Sequence, residues 1–184
     1  MQGSVVIVLG VALALLLLTG VVYNGLVRRK NRVDGTWSDI DVLLRRRHDL
    51  VPNLVSAVSG YAGHEQATLR AVADARAAVE TANGPAARGE AENVLTGRVK
   101  TLIAVAEAYP DLKASRAFIE LQDQLTATED GLAHARLFYN DAVFGYNTAV
   151  QSLPGSLVAA MLRFRPRQFF QAPGGERAPL QVQM

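Results

Sequence analysis

The chain has 184 residues, 49% of them hydrophobic, with 19 basic against 17 acidic side chains and no cysteine. This length predicts one compact domain, and the hydrophobic content excludes an intrinsically disordered protein. The formal net charge of +2 is too small for a typical nucleic-acid-binding protein. Without cysteine the chain can hold no disulfide, thiolate zinc site or cysteine-ligated iron–sulfur cluster.

The first 27 residues carry no charged side chain, and residues 5–22 form an apolar run broken only by Gly10, Thr19 and Gly20. At about 1.5 Å per residue this run spans about 27 Å, close to the hydrocarbon core of a bilayer. A cleaved signal peptide would have positive charge before a shorter core, and a buried core helix would not be apolar on every side. We therefore predict an uncleaved transmembrane anchor over residues 1–27.

A basic cluster follows the apolar run at Arg28, Arg29, Lys30 and Arg32, and Tyr23 precedes it by about one turn. Basic residues beside a membrane helix are retained on the cytoplasmic side. We predict a single-pass protein of the cell membrane, with its N-terminus outside and the remaining chain in the cytoplasm. The opposite orientation stays open, because one short helix offers little else to decide it.

Three helix-breaking zones divide the chain after the anchor, at residues 60–63, 83–85 and 108–111. They predict four helices over about residues 24–60, 64–82, 86–108 and 112–151, with Asp111 as a helix cap. No strand-like alternation of useful length occurs. The predicted fold is all-α: an N-terminal transmembrane helix, then an antiparallel up-and-down four-helix bundle over residues 28–152 with long first and last helices.

Apolar residues in the first and last of these helices recur at steps of three and four, which is typical of helices packed along a heptad seam. The predicted seam of the first helix is Val33, Trp37, Ile40, Leu44, Arg47, Val51, Leu54, Val58 and Tyr61. The predicted seam of the last helix is Phe118, Leu121, Leu125, Thr128, Leu132, Ala135, Tyr139, Ala142, Tyr146 and Ala149. Pro52 lies beside the first seam and predicts a bend there.

Polar side chains at these seams predict a buried contact between the two long helices. Arg47 is the single charged residue of the first seam. Gln122, Glu129 and Arg136 follow one another at intervals of seven beside the last seam. We predict a buried Arg47–Glu129 ion pair, which would fix the register of the helices more than it adds stability, with Gln122 and Arg136 as further polar ties.

Residues 153–170 combine apolar residues with arginines and aromatic rings, a composition that suits the headgroup level of a membrane. The alternative is that this short amphipathic segment covers the end of the bundle. Residues 171–184 are predicted to be a flexible tail. The predicted membrane-interface residues are Tyr23, Arg28, Arg29, Lys30, Arg32, Arg163, Phe164, Arg165, Arg167, Phe169 and Phe170.

Several short motifs are shared with a known family. They are Tyr23-Asn24-Gly25-Leu26-Val27, Asp49-Leu50-Val51-Pro52-Asn53-Leu54-Val55, Gly60-Tyr61-Ala62, Glu107-Ala108-Tyr109-Pro110-Asp111-Leu112, Tyr139-Asn140 and Tyr146-Asn147. From about residue 20 to residue 170 the chain resembles the LemA family in the order and spacing of these motifs. The resemblance implies an amino-terminal membrane anchor followed by an antiparallel helical bundle. It implies no reaction, because no catalytic activity is established for the family as a whole.

No arrangement of residues in the sequence predicts catalysis. None of the serines lies in a nucleophile-elbow motif, and no glycine-rich loop joins a strand to a helix. His48, His64 and His134 are far apart, and the Glu-x-x-His pattern of di-iron bundles is absent. We therefore predict no catalytic, cofactor-binding or metal site and no small-molecule substrate.

These observations favour a non-enzymatic, membrane-anchored helical scaffold or interaction protein. Its expected partners are the lipid bilayer and either further copies of itself or a membrane protein, and not a nucleic acid. The alternative is a regulatory accessory subunit of a membrane enzyme such as a protease. A hydrolase or metal enzyme without a recognisable motif is a third possibility.

Overall fold

The computed structural model describes residues 2–170, and these residues form six α-helices and no strand. The helices are α1 (Gln2–Ser59), α2 (Gln66–Thr81), α3 (Pro85–Ala106), α4 (Pro110–Lys113), α5 (Arg116–Gln151) and α6 (Gly155–Leu162). The predicted all-α class is therefore confirmed. The predicted tail, residues 171–184, lies outside the described residues.

The helix boundaries follow the predicted breaks at residues 83–85, and they differ from the prediction around residues 110–116. Gly84 adopts a positive φ of 85° just before α3, and Pro85 occupies the first turn, where its missing N–H costs nothing. The expected helix over residues 112–151 instead becomes the one-turn α4 and the long α5. The N–H of Ser115 bonds to the carbonyl of Leu112 and closes a turn between them. The predicted cap Asp111 lies inside α4, whose N-cap is Tyr109.

α1 continues from the apolar run into the polar part of the chain. The predicted boundary between residues 27 and 28 is not a break in the helix, and Pro52 also lies inside it. Ideal geometry makes a helix of 58 residues about 87 Å long. One helix thus carries both the apolar run and the first heptad seam.

The described residues divide into two compact units. The first unit consists of residues 2–39 and 137–167, and the second of residues 40–136 and 168–170. Both long helices contribute to each unit, because α1 passes through residue 39 and α5 passes through residue 137.

The core of the second unit draws side chains from five helices. Its buried residues are Leu50, Val51, Leu54, Val58, Ala62, Val72, Ala75, Val79, Leu95, Val99, Leu102, Ala106, Leu112, Phe118 and Leu125. The α1 seam is buried here as the heptad pattern predicts, up to Val58. The predicted seam residue Tyr61 is exposed and Ala62 is buried, because α1 has ended at Ser59 and the helical period no longer applies.

The first unit has a smaller core. It contains Leu26 and Val33 of α1, Tyr139, Ala142, Val143, Tyr146 and Val150 of α5, and Val158 and Ala159 of α6. The ring of Trp37 packs against Tyr139 with 5.4 Å between their centroids. α6 lies very close to the end of α5, since a Cβ atom at Gly155 would stand 2.0 Å from the carbonyl oxygen of Ala149. Only glycine fits at that position.

Candidate functional site

The first part of α1 presents an uncovered apolar surface. Every large apolar side chain in residues 5–18 is at least 50% exposed, and so is Val21. Among residues 2–170, α1 is the one helix that is both long and apolar enough to cross a membrane. Soluble proteins rarely expose contiguous apolar surface on this scale, so the stretch indicates a membrane location.

Aromatic and basic side chains lie around the end of this stretch within the first unit. The rings of Tyr23 and Phe164 meet edge to face, with their centroids 5.9 Å apart and their planes at 71°. Of the predicted interface residues, Tyr23, Arg28, Arg29, Arg32, Arg163, Arg165 and Arg167 are exposed, and Lys30 and Phe164 are half-buried. The structure thus brings together two of the predicted aromatic residues, Tyr23 of α1 and Phe164 of the segment after α6.

The segment after α6 is attached to α5 through its backbone. The hydroxyl of Tyr146 donates to the carbonyl of Arg165 at 3.0 Å. The side-chain amide of Asn147 makes two bonds to Arg167, donating to its carbonyl at 2.9 Å and accepting from its N–H at 2.8 Å. Burial raises the pKa of the Tyr146 phenol and so favours the protonated form, which donates this bond. The role of Asn147 was not predicted from the sequence.

The end of this segment departs from the predicted interface. Phe169 is 45% exposed, whereas Phe170 is only 1% exposed. In the second unit, the guanidinium of Arg136 lies 4.9 Å from the centroid of the Phe170 ring, a cation–π geometry. Phe170 was predicted as a membrane-interface residue and is instead an internal packing residue of this unit.

A buried ionic cluster occupies the interior of the second unit. The Nη1 atom of Arg47 lies 3.2 Å from Oε2 of Glu92 and 3.2 Å from Oε2 of Glu129. The Nη2 atom donates to the hydroxyl of Thr96 at 2.8 Å. Arg47 and Glu92 are almost wholly buried, and a third of the Glu129 side chain is exposed. The structure therefore places Arg47 beside the predicted partner Glu129 and also beside Glu92.

Glu92 was not identified from the sequence as a buried polar residue, although its spacing from apolar residues of α3 indicates burial. It lies on α3 three residues before Leu95 and seven before Val99, which places it on the buried face of that helix. Burial is the largest influence on this carboxyl and raises its pKa, against the opposing effect of Arg47, Arg136 and Arg88. Such a carboxyl is stable inside a protein only with a close positive partner.

Arg136 extends the polar contacts on α5. Its Nη1 donates to the side-chain oxygen of Asn93 at 3.3 Å. Its Nε and Nη2 atoms are buried without a hydrogen-bond partner in the part of the chain that the structure describes. Burial lowers the pKa of this guanidinium, an effect that Glu129 opposes. Gln122 is half-buried, and the structure does not bring it into the network.

The chemistry available in this cluster is structural. The Arg47 guanidinium is engaged by two carboxylates and a hydroxyl of the protein itself, contacts that connect α1, α3 and α5. Among residues 2–170, no three histidine or carboxylate side chains come together in a way that could hold a metal ion. The cluster is suited to fixing how α1, α3 and α5 align.

The sequence profile of the LemA family matches residues 36–184, which is most of the chain. The chain belongs to the LemA family. The membership predicted from the short motifs is therefore confirmed, and the match begins beyond the apolar stretch of α1.

Three curated relatives of this LemA family member are similar to it at low identity. Magnetosome protein MamQ 2 of Paramagnetospirillum magneticum is 24% identical over 181 residues, which cover 84% of this chain and 66% of the relative. Protein LemA of Metamycoplasma hominis is 24% identical over 155 residues, covering 84% and 71%. Magnetosome protein MamQ of Magnetospirillum gryphiswaldense is 23% identical over 181 residues, covering 84% and 66%. The chain spans a little under two thirds of the length of these magnetosome proteins.

Proposed function

We propose that this LemA family member is a single-pass membrane protein whose α1 crosses the bilayer over about residues 5–22. The observation that carries the proposal is the stretch of α1 in which every large apolar side chain is at least half exposed. In water this surface would be costly, at roughly 25 cal/mol for each Å². At about 27 Å, its length matches the hydrocarbon core of a bilayer.

The remaining helices would form an antiparallel bundle at one face of the membrane. Two relationships in the first unit support opposite directions for α1 and α5. Trp37 packs against Tyr139, whereas Val22 and Ala149 line the same cleft. From the first of these relationships to the second, the residue number falls from 37 to 22 along α1 and rises from 139 to 149 along α5. This is the relation expected of two helices that run in opposite directions. The basic cluster Arg28, Arg29 and Arg32 supports an orientation with the N-terminus outside and the bundle in the cytoplasm.

The bundle would act as a non-enzymatic scaffold that binds further copies of itself or a membrane protein. The buried charges support this, because Arg47 pairs with Glu92 and Glu129 and bonds to Thr96, contacts that connect α1, α3 and α5. Surface composition supports an interaction role: Leu137, Phe138 and Phe144 are each about 60% exposed or more within eight residues of α5. The magnetosome proteins among its relatives carry the name of a cellular assembly, which is consistent with an organising role.

Membrane integration is tested by extracting membranes with alkaline carbonate. The double variant Leu13→Asp/Leu16→Asp places two carboxylates in the apolar stretch, at a cost of about 3 kcal/mol each at the bilayer centre. We expect the wild-type chain to remain in the membrane pellet and the variant to be lost from it. Val42→Asp is the matched control, because Val42 is an exposed apolar residue of the same helix outside the stretch. Extraction of the wild-type chain would overturn the proposal.

Orientation and self-association need separate measurements. Because the chain has no cysteine, Ser4→Cys and Gly97→Cys each introduce a single thiol. A membrane-impermeant maleimide should label position 4 in intact cells and position 97 only after permeabilisation. For self-association, light scattering in mild detergent should give a defined oligomer for the full-length chain and a smaller one for Leu137→Ser/Phe144→Ser. A wild-type monomer would exclude the self-associating scaffold.

A further inference from the structure

A cleft opens in the first unit where α1 leaves its apolar stretch. Val21, Val22 and Leu26 of α1 line one side, and residues 152–155, which run from the end of α5 to the start of α6, line the other. Its volume is about 320 Å³. That is at the small end for ligand pockets, so the cleft has room for part of an amphiphilic molecule and not for a whole lipid.

Arg28 and Arg29 give this apolar cleft a positive rim. A second, adjoining cleft is lined by Gly25 and by Arg28, Arg29 and Arg32. No acidic residue lines either cleft. Within residues 2–170, these three arginines form no ion pair, so no acidic side chain of that range neutralises their positive charge directly. Guanidinium groups bind phosphate through paired, charge-assisted hydrogen bonds.

The depth of the Arg28 guanidinium matches that of lipid phosphates. The Nε atom of Arg28 donates to the carbonyl of Asn24 at 3.3 Å, so this side chain turns back by one helical turn. Its charged end therefore lies near the level of Asn24, about 3 Å along the helix from Val22. The headgroup layer extends roughly 5–7 Å beyond the hydrocarbon core on each side. The Arg28 guanidinium is thus placed where phosphodiester groups lie if α1 spans the bilayer.

We propose that this cleft binds a phospholipid with an anionic headgroup. Arg28 and Arg29 would hold the phosphate, and Val21, Val22 and Leu153 would contact the first methylene groups of the acyl chains. A zwitterionic headgroup would bring its own ammonium group beside uncompensated arginines, so the anionic class is favoured. The apolar walls favour a lipid over a free phosphate ion. This inference rests on the proposed membrane-spanning role of α1.

The test measures lipid binding to the purified full-length chain in detergent by native mass spectrometry. Phosphatidylglycerol and phosphatidylcholine with the same acyl chains are titrated in parallel. We expect phosphatidylglycerol to bind at least about tenfold more tightly to the wild-type chain. In Arg28→Gln/Arg29→Gln its affinity should fall by about 30-fold, since each basic residue near a membrane surface contributes roughly fivefold.

Arg45→Gln/Arg46→Gln is the matched control, with the same change of charge on exposed arginines of the same helix. It should bind phosphatidylglycerol like the wild-type chain. An equal loss of phosphatidylglycerol affinity in both double variants would show a general effect of charge and would contradict a specific lipid site. Equal binding of the two lipids by the wild-type chain would overturn it as well.

Two further measurements identify the source of any failure. Displacement of the lipid by millimolar glycerol phosphate would show that the ligand is a phosphate group alone, contradicting the lipid proposal. Leu153→Ser keeps the charge and removes an apolar contact, and it should weaken phosphatidylglycerol binding about fivefold. Carbonate extraction of all variants completes the test. If the wild-type chain stays in the membrane but does not select between the two lipids, only the proposed lipid site is contradicted. If carbonate releases the wild-type chain, the proposed membrane-spanning role of α1 is contradicted.

Discussion

The guanidinium of Arg47 lies 3.2 Å from the carboxylate of Glu92, and both side chains are almost wholly buried. Neither group is stable there alone. Removing two charges from water costs several kcal/mol for each ion, and close pairing with added hydrogen bonds offsets that cost. The second carboxylate, Glu129, reaches solvent and needs Arg47 less. The pair Arg47–Glu92 therefore determines how this interior responds to substitution.

Arg47→Leu should leave a folded helical protein of reduced stability. Loss of the guanidinium leaves Glu92 buried and unpaired, which costs about 3–5 kcal/mol. Arg47→Leu/Glu92→Leu removes both charges and should recover most of that loss. Thermal unfolding followed by circular dichroism in mild detergent gives both values, with Arg46→Leu as an exposed control on the same helix. A complete loss of helical signal in Arg47→Leu would contradict this prediction.

The stability of the protein should depend on pH through Glu92. Burial raises the pKa of its carboxyl above the ordinary value of 4.5, so the folded state binds this proton more tightly than the unfolded chain. The contribution is therefore present at low pH and is lost as pH rises from the unfolded pKa through the folded one. Glu92→Gln lacks this titration. We compare the unfolding free energy of the wild-type chain with that of Glu92→Gln. The difference should fall as pH rises between the unfolded and folded pKa of Glu92. A rise with pH would contradict the raised pKa of this carboxyl.

Gly155→Ala should displace α6. The added Cβ atom would meet the carbonyl oxygen of Ala149 at 2.0 Å, which no backbone can accommodate without moving. We expect a loss of about 2 kcal/mol, typical of overpacking, and faster amide exchange in Gly155–Leu162. Gly145→Ala is the control, because nothing lies within 4 Å of its new Cβ and helix propensity favours alanine. Equal stabilities for the two variants would argue against the close approach.

Asn147→Asp should release the segment that follows α6. The new carboxylate can still accept from the N–H of Arg167, but its second oxygen would face the carbonyl now 2.9 Å from the amide nitrogen. We expect a cost of about 1 kcal/mol and faster amide exchange at residues 163–167. Asn53→Asp makes the same change at an exposed position of α1. If exchange at residues 163–167 is unchanged, Asn147 does not hold this segment.

Much of the helical pattern was accessible from the sequence, because burial along a helix repeats every three or four residues. Val33, Ile40, Leu44 and Arg47 are all buried at the predicted spacing. The pattern failed at Tyr61, where the helix had already ended. Periodicity shows which face of a helix is buried, and it does not show where that helix stops.

The partners of polar side chains were harder to predict. Glu92 lies on a helix with a weak apolar stripe. Its spacing from Leu95 and Val99 indicates the buried face, but that spacing does not show that Arg47 is its partner. Phe170 shows a second difficulty. Arginines next to aromatic rings occur both at membrane interfaces and in cation–π stacks, and composition alone does not separate the two. The structure separates them by burying Phe170 against Arg136.

The bonds from Asn147 to Arg167 have a consequence for sequence change. Both join the asparagine side chain to the backbone N–H and carbonyl of residue 167, which every amino acid except proline provides. Within residues 2–170, the Arg167 side chain forms an ion pair with the exposed Asp34, a contact of small energetic value. In relatives with this connection, we therefore expect asparagine at the position of Asn147 and many different residues at the position of Arg167. Proline is the one residue that we expect to be absent from the latter position.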